Sequence, residues 1–548
     1  MTKFDSPLAA FLHWEKNIPE KVFLRQHING ELITYTFKEC GDQVRRMAAA
    51  ISTFNLPPQS KIALLSKNCA HWIMADVAIM MANHISIPIY PTLQADSIQH
   101  ILEHSESKAI IIGKLDNYES QKPGIPNIHK MSVEMYGIYE GHTWEGLIAQ
   151  YKPLATMPDL VPSDLITIIY TSGTTGIPKG VMHTIGNFAY SSNNILDVLQ
   201  LPEHPKFFSY LPLSHVAERV GIEMGGIFRG ASITFAESLE TFAKNLEDTQ
   251  PNLFFAVPRI WAKFQEKLLQ AISQKKLNII LSLPIIRGLI KKKIKKKLGL
   301  SEAVLMISGA APLAVSLMNW YKKLGITILQ GYGMTEDCIL SHFNLPDGNR
   351  IGTVGKAVQG VTAKLSPEGE ICIKNDCLMT GYYKSPEETT KVFDNEGYLK
   401  TGDIGEYDHD GYLTITGRVK DQFKTDKGKY ISPAPIELEL SKNTNIEQLC
   451  IVGMGIPQPI ALIILSIEAK EKNKKELSEN FVTMINTINP TLEKHEKIEK
   501  VIIMKENWTI ENGLMTPTLK VKRNQVEKIH MPMYKSWFDS KEKVIFEK

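Results

Sequence analysis

The chain has 548 residues, 43% of them apolar and 22% charged, with a formal net charge of +3. That length gives room for two or more domains around a large buried core, and the composition is that of a soluble globular protein. So small a charge makes no electrostatic case for nucleic acid, and no unbroken apolar stretch reaches the roughly 20 residues needed to cross a bilayer.

Helix-like and strand-like patterns alternate through the first three quarters of the chain, which predicts a layered α/β architecture. Residues 37–54 have amphipathic helical periodicity, whereas 61–65, 85–90 and 109–112 are short β-branched runs of strand character. Residues 165–170, Leu-Ile-Thr-Ile-Ile-Tyr, predict a further buried strand. It leads into Thr171-Ser172-Gly173-Thr174-Thr175-Gly176-Ile177-Pro178-Lys179-Gly180. Glycines let successive backbone N–H groups turn toward an anion, hydroxyls add donors, and Lys179 adds a mobile positive charge, so the loop suits a polyphosphate. It is not a Walker loop, because Pro178 precedes the lysine and Gly180 follows it. Between residues 352 and 417, short strands separated by Gly and Pro turns predict a β-rich subdomain. After Lys420 the pattern changes again, with a central strand at 460–467 and a lysine-rich, helical remainder.

Further motifs follow in order. They are Gln330-Gly331-Tyr332-Gly333-Met334-Thr335-Glu336, then Tyr398-Leu399-Lys400-Thr401-Gly402-Asp403, Gly417-Arg418-Val419-Lys420-Asp421 and Thr516-Pro517-Thr518-Leu519-Lys520-Val521-Lys522-Arg523. With the 171–180 loop they resemble, over nearly the whole chain, the signature motifs of the adenylate-forming superfamily. Leu211-Pro212-Leu213-Ser214-His215-Val216-Ala217-Glu218-Arg219, Val257-Pro258-Arg259-Ile260-Trp261 and Thr335-Glu336-Asp337-Cys338 narrow the similarity to long-chain fatty acyl-CoA synthetases.

The resemblance implies a large N-terminal domain (1–419) of layered α/β subdomains plus a β-barrel-like subdomain. A small mobile C-terminal α/β domain (420–548) would follow, turning about a hinge near Lys420. It also implies ATP, Mg²⁺ and coenzyme A as reaction partners of a fatty acid. Thr171, Ser172, Gly173, Thr174, Thr175, Gly176 and Lys179 would hold the β- and γ-phosphates. Glu336 would bind Mg²⁺, and Thr335 would donate to a phosphate oxygen. Gly309, Ala310 and Ala311 would let the adenine approach backbone. Gln330, Gly331, Tyr332, Gly333 and Met334 would line the nucleotide, with the Tyr332 ring against the base. Asp403 and Arg418 would reach the ribose. Lys520 would enter the site for adenylation, with Lys522 the near competitor and Arg523 a more distant one. Gly428 would line the pantetheine tunnel, and His215 would stand near the carboxylate pocket. Each of these residues also has an ordinary structural reading: a turn, a cap or a surface ion pair.

Three alternatives stay open at this point. They are an acyl-AMP ligase serving a carrier protein, a ligase for aryl or short acids, and a non-catalytic adenylate or lipid binder on the same fold. Retention of Glu336, Lys179 and Lys520 weighs against the last.

The opening Met1-Thr2-Lys3-Phe4-Asp5-Ser6-Pro7 lacks a signal-peptide core, and the six scattered cysteines lack paired metal spacing. A cytoplasmic protein with reduced thiols is the expectation. Residues 277–300 place an apolar stretch beside Lys291-Lys292-Lys293-Ile294-Lys295-Lys296-Lys297. That pattern fits peripheral contact with a membrane's inner face, or else a solvated helix face. No aromatic residues interleave the lysines, so nucleic acid is the weaker reading.

Overall fold

The computed structural model describes residues 2–171, 178–516 and 520–547. The chain divides into two compact units: Met1–Ala363 with Ile373–Leu399, and Lys364–Cys372 with Lys400–Lys548. The fold is mixed α/β, as expected.

Two large sheets organise the described residues of the first unit. One has eight strands, in the order Gly381–Tyr382, Lys179–Thr184, Leu165–Thr171, Ile85–Ile89, Lys61–Leu65, Ala109–Ile112, His129–Ser132, His142–Thr143. Its centre is parallel and fully buried, which explains why Ile85–Ile89 and Ala109–Ile112 are continuous apolar runs rather than alternating ones. The other sheet has nine strands and includes Lys206–Ser209, Leu253–Ala256, Leu305–Ser308 and Ile328–Tyr332, all joined in parallel. Every residue of helix Ala70–Met81 is buried, as an apolar helix without a polar face must be. Helix Phe37–Ser52 begins at a capping box, in which Glu39 N–H donates to Thr36 Oγ1 and Thr36 N–H to the Glu39 carboxylate.

Arg219, quoted above as part of a motif, lies deep in this unit. Its guanidinium donates to both Asp76 oxygens at 2.7 Å and to Thr167 Oγ1 at 2.6 Å, and neither charged side chain is more than 1% exposed. The role the structure gives it is to hold the interior together.

The second unit carries a four-stranded sheet of Ile446–Val452, Ile460–Leu465, Lys500–Ile503 and Val544–Phe546. Strand alternation divides its apolar residues between two cores. Ala461 and Ile463 pack with Phe481 and Ile485, while Leu462 and Ile464 pack with Trp508, Val526 and Trp537. Strands Leu399–Tyr407 and Leu413–Arg418 form an antiparallel hairpin. Lys420 lies in the exposed turn just after it. All six cysteines are free and buried. Among the described residues, no helix is long and apolar enough to cross a membrane.

Candidate active site

In the first unit, Leu165–Thr171 and Lys179–Thr184 are antiparallel neighbours that set Thr171 opposite Lys179. The loop between them starts and ends at one edge. Ser172, Gly173, Thr174, Thr175 and Gly176 lie outside the described residues.

The Lys179 ammonium reaches Glu388 Oε2 at 2.5 Å and sits 4.9 Å from the centre of the Tyr382 ring. Tyr382 donates its hydroxyl to Glu336 Oε1 at 2.8 Å. One line of side chains therefore connects the loop lysine to the proposed metal-binding carboxylate. Hydrogen bonds from Lys179 and Lys391 hold the Glu388 carboxyl down at about 2. Burial and the adjacent Glu336 carboxylate push the Tyr382 phenol well up, so it remains a donor at neutral pH. Strand Gly381–Tyr382 brings this tyrosine into place by pairing with Val181 and Met182.

The 3-10 turn Thr335–Asp337 that presents Glu336 is fixed from beneath. His183 Nε2 donates to the Thr335 carbonyl at 2.7 Å, Met334 N–H to Asp337 Oδ1 at 2.8 Å, and Ser191 Oγ to the Cys338 carbonyl at 2.7 Å. Burial lowers the affinity of His183 for its proton, but Cys338 and the Thr335 carbonyl more than offset that, and the imidazole is pushed up. Burial pushes the Asp337 carboxyl well up. Both groups are buried in the scaffold of the turn.

The proposed nucleotide-lining segments meet in register, with Ser308, the last residue of its strand, opposite Gln330. Ser308 Oγ and Gln330 Oε1 are buried without a hydrogen-bond partner, an arrangement that leaves two polar atoms for a polar ligand. A side chain at Gly309 would crowd the Phe255 ring at 3.2 Å, one at Gly331 the Phe343 ring at 3.0 Å, and one at Gly333 the Ile339 backbone at 2.5 Å. Ala310 holds a left-handed φ of 65°, and Ala311 is exposed beside it. The Tyr332 ring lies 6.2 Å from His342. These residues fit a flat polar base such as adenine.

Ala217 N–H donates to His215 Nδ1 at 3.2 Å at the start of a short helical turn, which leaves the ring proton on Nε2. His215 therefore has a capping role whatever else it does.

In the second unit, Asp403 and Arg418 are cross-strand partners joined at 2.6 Å. Lys520 N–H donates to Thr516 Oγ1 and its carbonyl accepts from Thr516 N–H; Pro517, Thr518 and Leu519 lie outside the described residues. Desolvation and the Arg418 cation push the Lys520 ammonium down to about 8, against the pull of Asp403. Lys520 keeps exposed surface. Arg523 is committed elsewhere, since it binds Glu437 and the Ile451 carbonyl. Gly428 turns a short hairpin at φ 74°, and a Cβ there would meet nothing within 4 Å. The left-handed backbone is by itself a reason for glycine at that position.

Among the described residues, no group of three or more His, Cys, Asp or Glu side chains is placed to hold a metal ion. Glu336 is a single carboxylate, the kind of partial ligation that suits Mg²⁺, a hard cation that takes its remaining ligands from phosphates and water.

Tyr382, Glu388 and His183 were not found from the sequence. Two aromatics after Gly381 and a Pro-Glu-Glu helix start were the only local signals for the first two, and His183 had none.

The chain belongs to the AMP-binding enzymes. The profile of the AMP-binding enzyme family matches residues 11–383, and that of the AMP-binding enzyme C-terminal domain matches 420–538. The chain is similar to long-chain-fatty-acid–CoA ligase FadD15 of Mycobacterium bovis, 26% identical with 95% of each chain covered. It is also similar to long-chain-fatty-acid–CoA ligase 5 of Rattus norvegicus, 27% identical over 92% of this chain and 84% of the relative. Among solved structures, the adenylation domain of a carboxylate reductase from Mycobacterium chelonae shares the fold. The TM-score is 0.81 at 20% identity, covering 98% of this chain and 91% of that one.

Proposed function

We propose that this protein joins a long-chain fatty carboxylate to coenzyme A through an acyl-adenylate. A carboxylate oxygen attacks the α-phosphorus of ATP and pyrophosphate leaves; the coenzyme A thiolate then attacks the acyl carbon and AMP leaves. The observation that carries this reading is the Lys179–Tyr382–Glu336 line beside the 171–179 loop. Likeness to long-chain ligases over more than nine-tenths of the chain supports the choice of acid.

Both steps move charge on phosphate, so catalysis rests on placed cations and donors more than on proton shuttles. Lys179 exchanges the Glu388 carboxylate for a phosphate, and Thr171 lends a hydroxyl at the loop's edge. Thr335 donates to a phosphate oxygen, and Glu336 holds Mg²⁺, which neutralises phosphate charge when bound. Asp403 and Arg418 take the ribose, and Lys520 stabilises the negative charge around the α-phosphate. His215 lies by the carboxylate, and Gly428 leaves room for pantetheine. The small domain, 420–548, turns about Lys420 between the two steps.

The test supplies MgATP and coenzyme A with acids from short to long and measures pyrophosphate and thioester. Palmitate or oleate giving both products is the expected result. Pyrophosphate without thioester would shift the assignment to loading of a carrier protein, and release with short or aryl acids alone would reject the long-chain substrate.

A further inference from the structure

Helices Gln274–Ser282 and Pro284–Lys297 form a hairpin anchored at its base and exposed at its tip. Leu277 and Ile294 are buried in the core, with Ile290 packed partly against it. Toward the tip the sequence stays apolar while protein cover ends. Ile279 is 63% exposed, Leu283 43%, Ile286 44% and Leu289 68%. Leaving four large aliphatic side chains in water is unfavourable by the ordinary hydrophobic measure, and their grouping is not the scatter of a normal surface.

The charges below the tip are all of one sign. Lys292, Lys293 and Lys296 follow Leu289 at the i+3, i+4 and i+7 positions, on the same flank of the helix, and all three are exposed. Arg287 is exposed at the tip itself, and Lys275 and Lys276 are exposed on the other helix. Lys297 pairs with Glu247 at 3.0 Å. Among the described residues, no carboxylate lies within ion-pair distance of Lys291, Lys292, Lys293, Lys295 or Lys296. An aliphatic tip above a collar of unneutralised lysines matches, layer for layer, the acyl boundary and anionic headgroups of a bilayer. A nucleic acid would answer the charge but not the four bare aliphatics beside it, whereas an anionic bilayer answers both.

We propose that this hairpin docks the protein on an anionic membrane surface, the aliphatic tip entering the acyl boundary and the lysine collar meeting the headgroups. The inference does not depend on which acid the enzyme activates.

Co-sedimentation of the full chain with vesicles tests it. Vesicles of phosphatidylcholine with one quarter phosphatidylglycerol should retain the protein at low salt and release it at high salt, and pure phosphatidylcholine should retain far less. Replacing Lys292, Lys293 and Lys296 together by Gln should weaken binding by about a hundredfold, from about fivefold for each lysine near the surface. Leu289→Asp, which spares the collar, should also weaken it, and both variants should keep their circular dichroism and their rate on detergent-dispersed acid. Equal binding to neutral vesicles, unchanged binding by both variants, or retention by a DNA duplex in place of anionic vesicles would overturn the proposal.

Discussion

Lys179 in the first unit and Lys520 in the second are the two lysines proposed to meet phosphate, and their surroundings have opposite character. Lys179 is paired with Glu388 at 2.5 Å and lies against the Tyr382 ring, on a strand whose neighbours fix the Glu336 turn. Desolvation and then the Arg418 cation make the positive charge of Lys520 harder to keep, against the pull of Asp403. A resting lysine with an internal carboxylate must give that partner up to bind phosphate. A lysine whose charge is disfavoured by desolvation and a nearby cation gains on meeting phosphate, because the anion stabilises the ammonium. Under the proposed function, the first is a standing site assembled before the nucleotide arrives and the second a cation whose energetic reward comes only with its ligand.

The largest test of that division removes the carboxylate at the end of the standing line. Glu336→Gln should cut acid-dependent pyrophosphate release by about two to three orders of magnitude while leaving the fold intact. A variant as fast as the parent would remove Glu336 from the site. Lys520→Ala should cost about a hundredfold in the same assay but much less in thioester formation from supplied acyl-adenylate and coenzyme A. Equal losses in both assays would mean that Lys520 serves the whole reaction or the fold.

A milder effect should appear with pH. Lys520, pushed down to about 8, is charged below that value and loses its proton above it. For pyrophosphate formation, kcat/KM should therefore fall by about tenfold per unit on the alkaline side. In Lys520→Arg the guanidinium keeps its charge, so the alkaline limb should move upward; a limb that stays in place belongs to another group. The smallest effect concerns Glu388. Its carboxyl is held at about 2, so the pair with Lys179 is lost only as pH falls toward that value and is present throughout the neutral range. Glu388→Gln should lower KM for ATP by about threefold, and the gain should shrink in high salt because the pair is partly exposed. A raised KM would show that Glu388 positions Lys179 rather than competing for it.

The parts legible in the sequence were those whose chemistry is local. The β-branched run at 165–170 predicts a strand, and the structure has one at Leu165–Thr171; the strand Lys179–Thr184 on the other side of the loop was not predicted. The basic run at 291–297 was equally plain, but the exposure of Leu289 and Ile286 above it was not, because an aliphatic residue in a helical pattern ordinarily faces a core. Arg219 shows the same gap from the other side. Its place in a motif said nothing about a fully buried ion pair with Asp76, 143 residues away in the chain.

Residue order by itself determined the alternating α/β architecture, the glycine- and hydroxyl-rich segment after the strand at 165–171, and the candidate groups proposed to meet a nucleotide. It could do so because backbone propensity, side-chain period and the donor chemistry of a short loop are properties of neighbours. Only the tertiary structure decided which side chains meet. His183 supports Thr335 across 152 residues, Tyr382 reaches Glu336 across 46, and Glu388 holds Lys179 across 209. Those contacts depend on which strands pair at the edge of a sheet and on what is left uncovered once they have, and no local pattern encodes either.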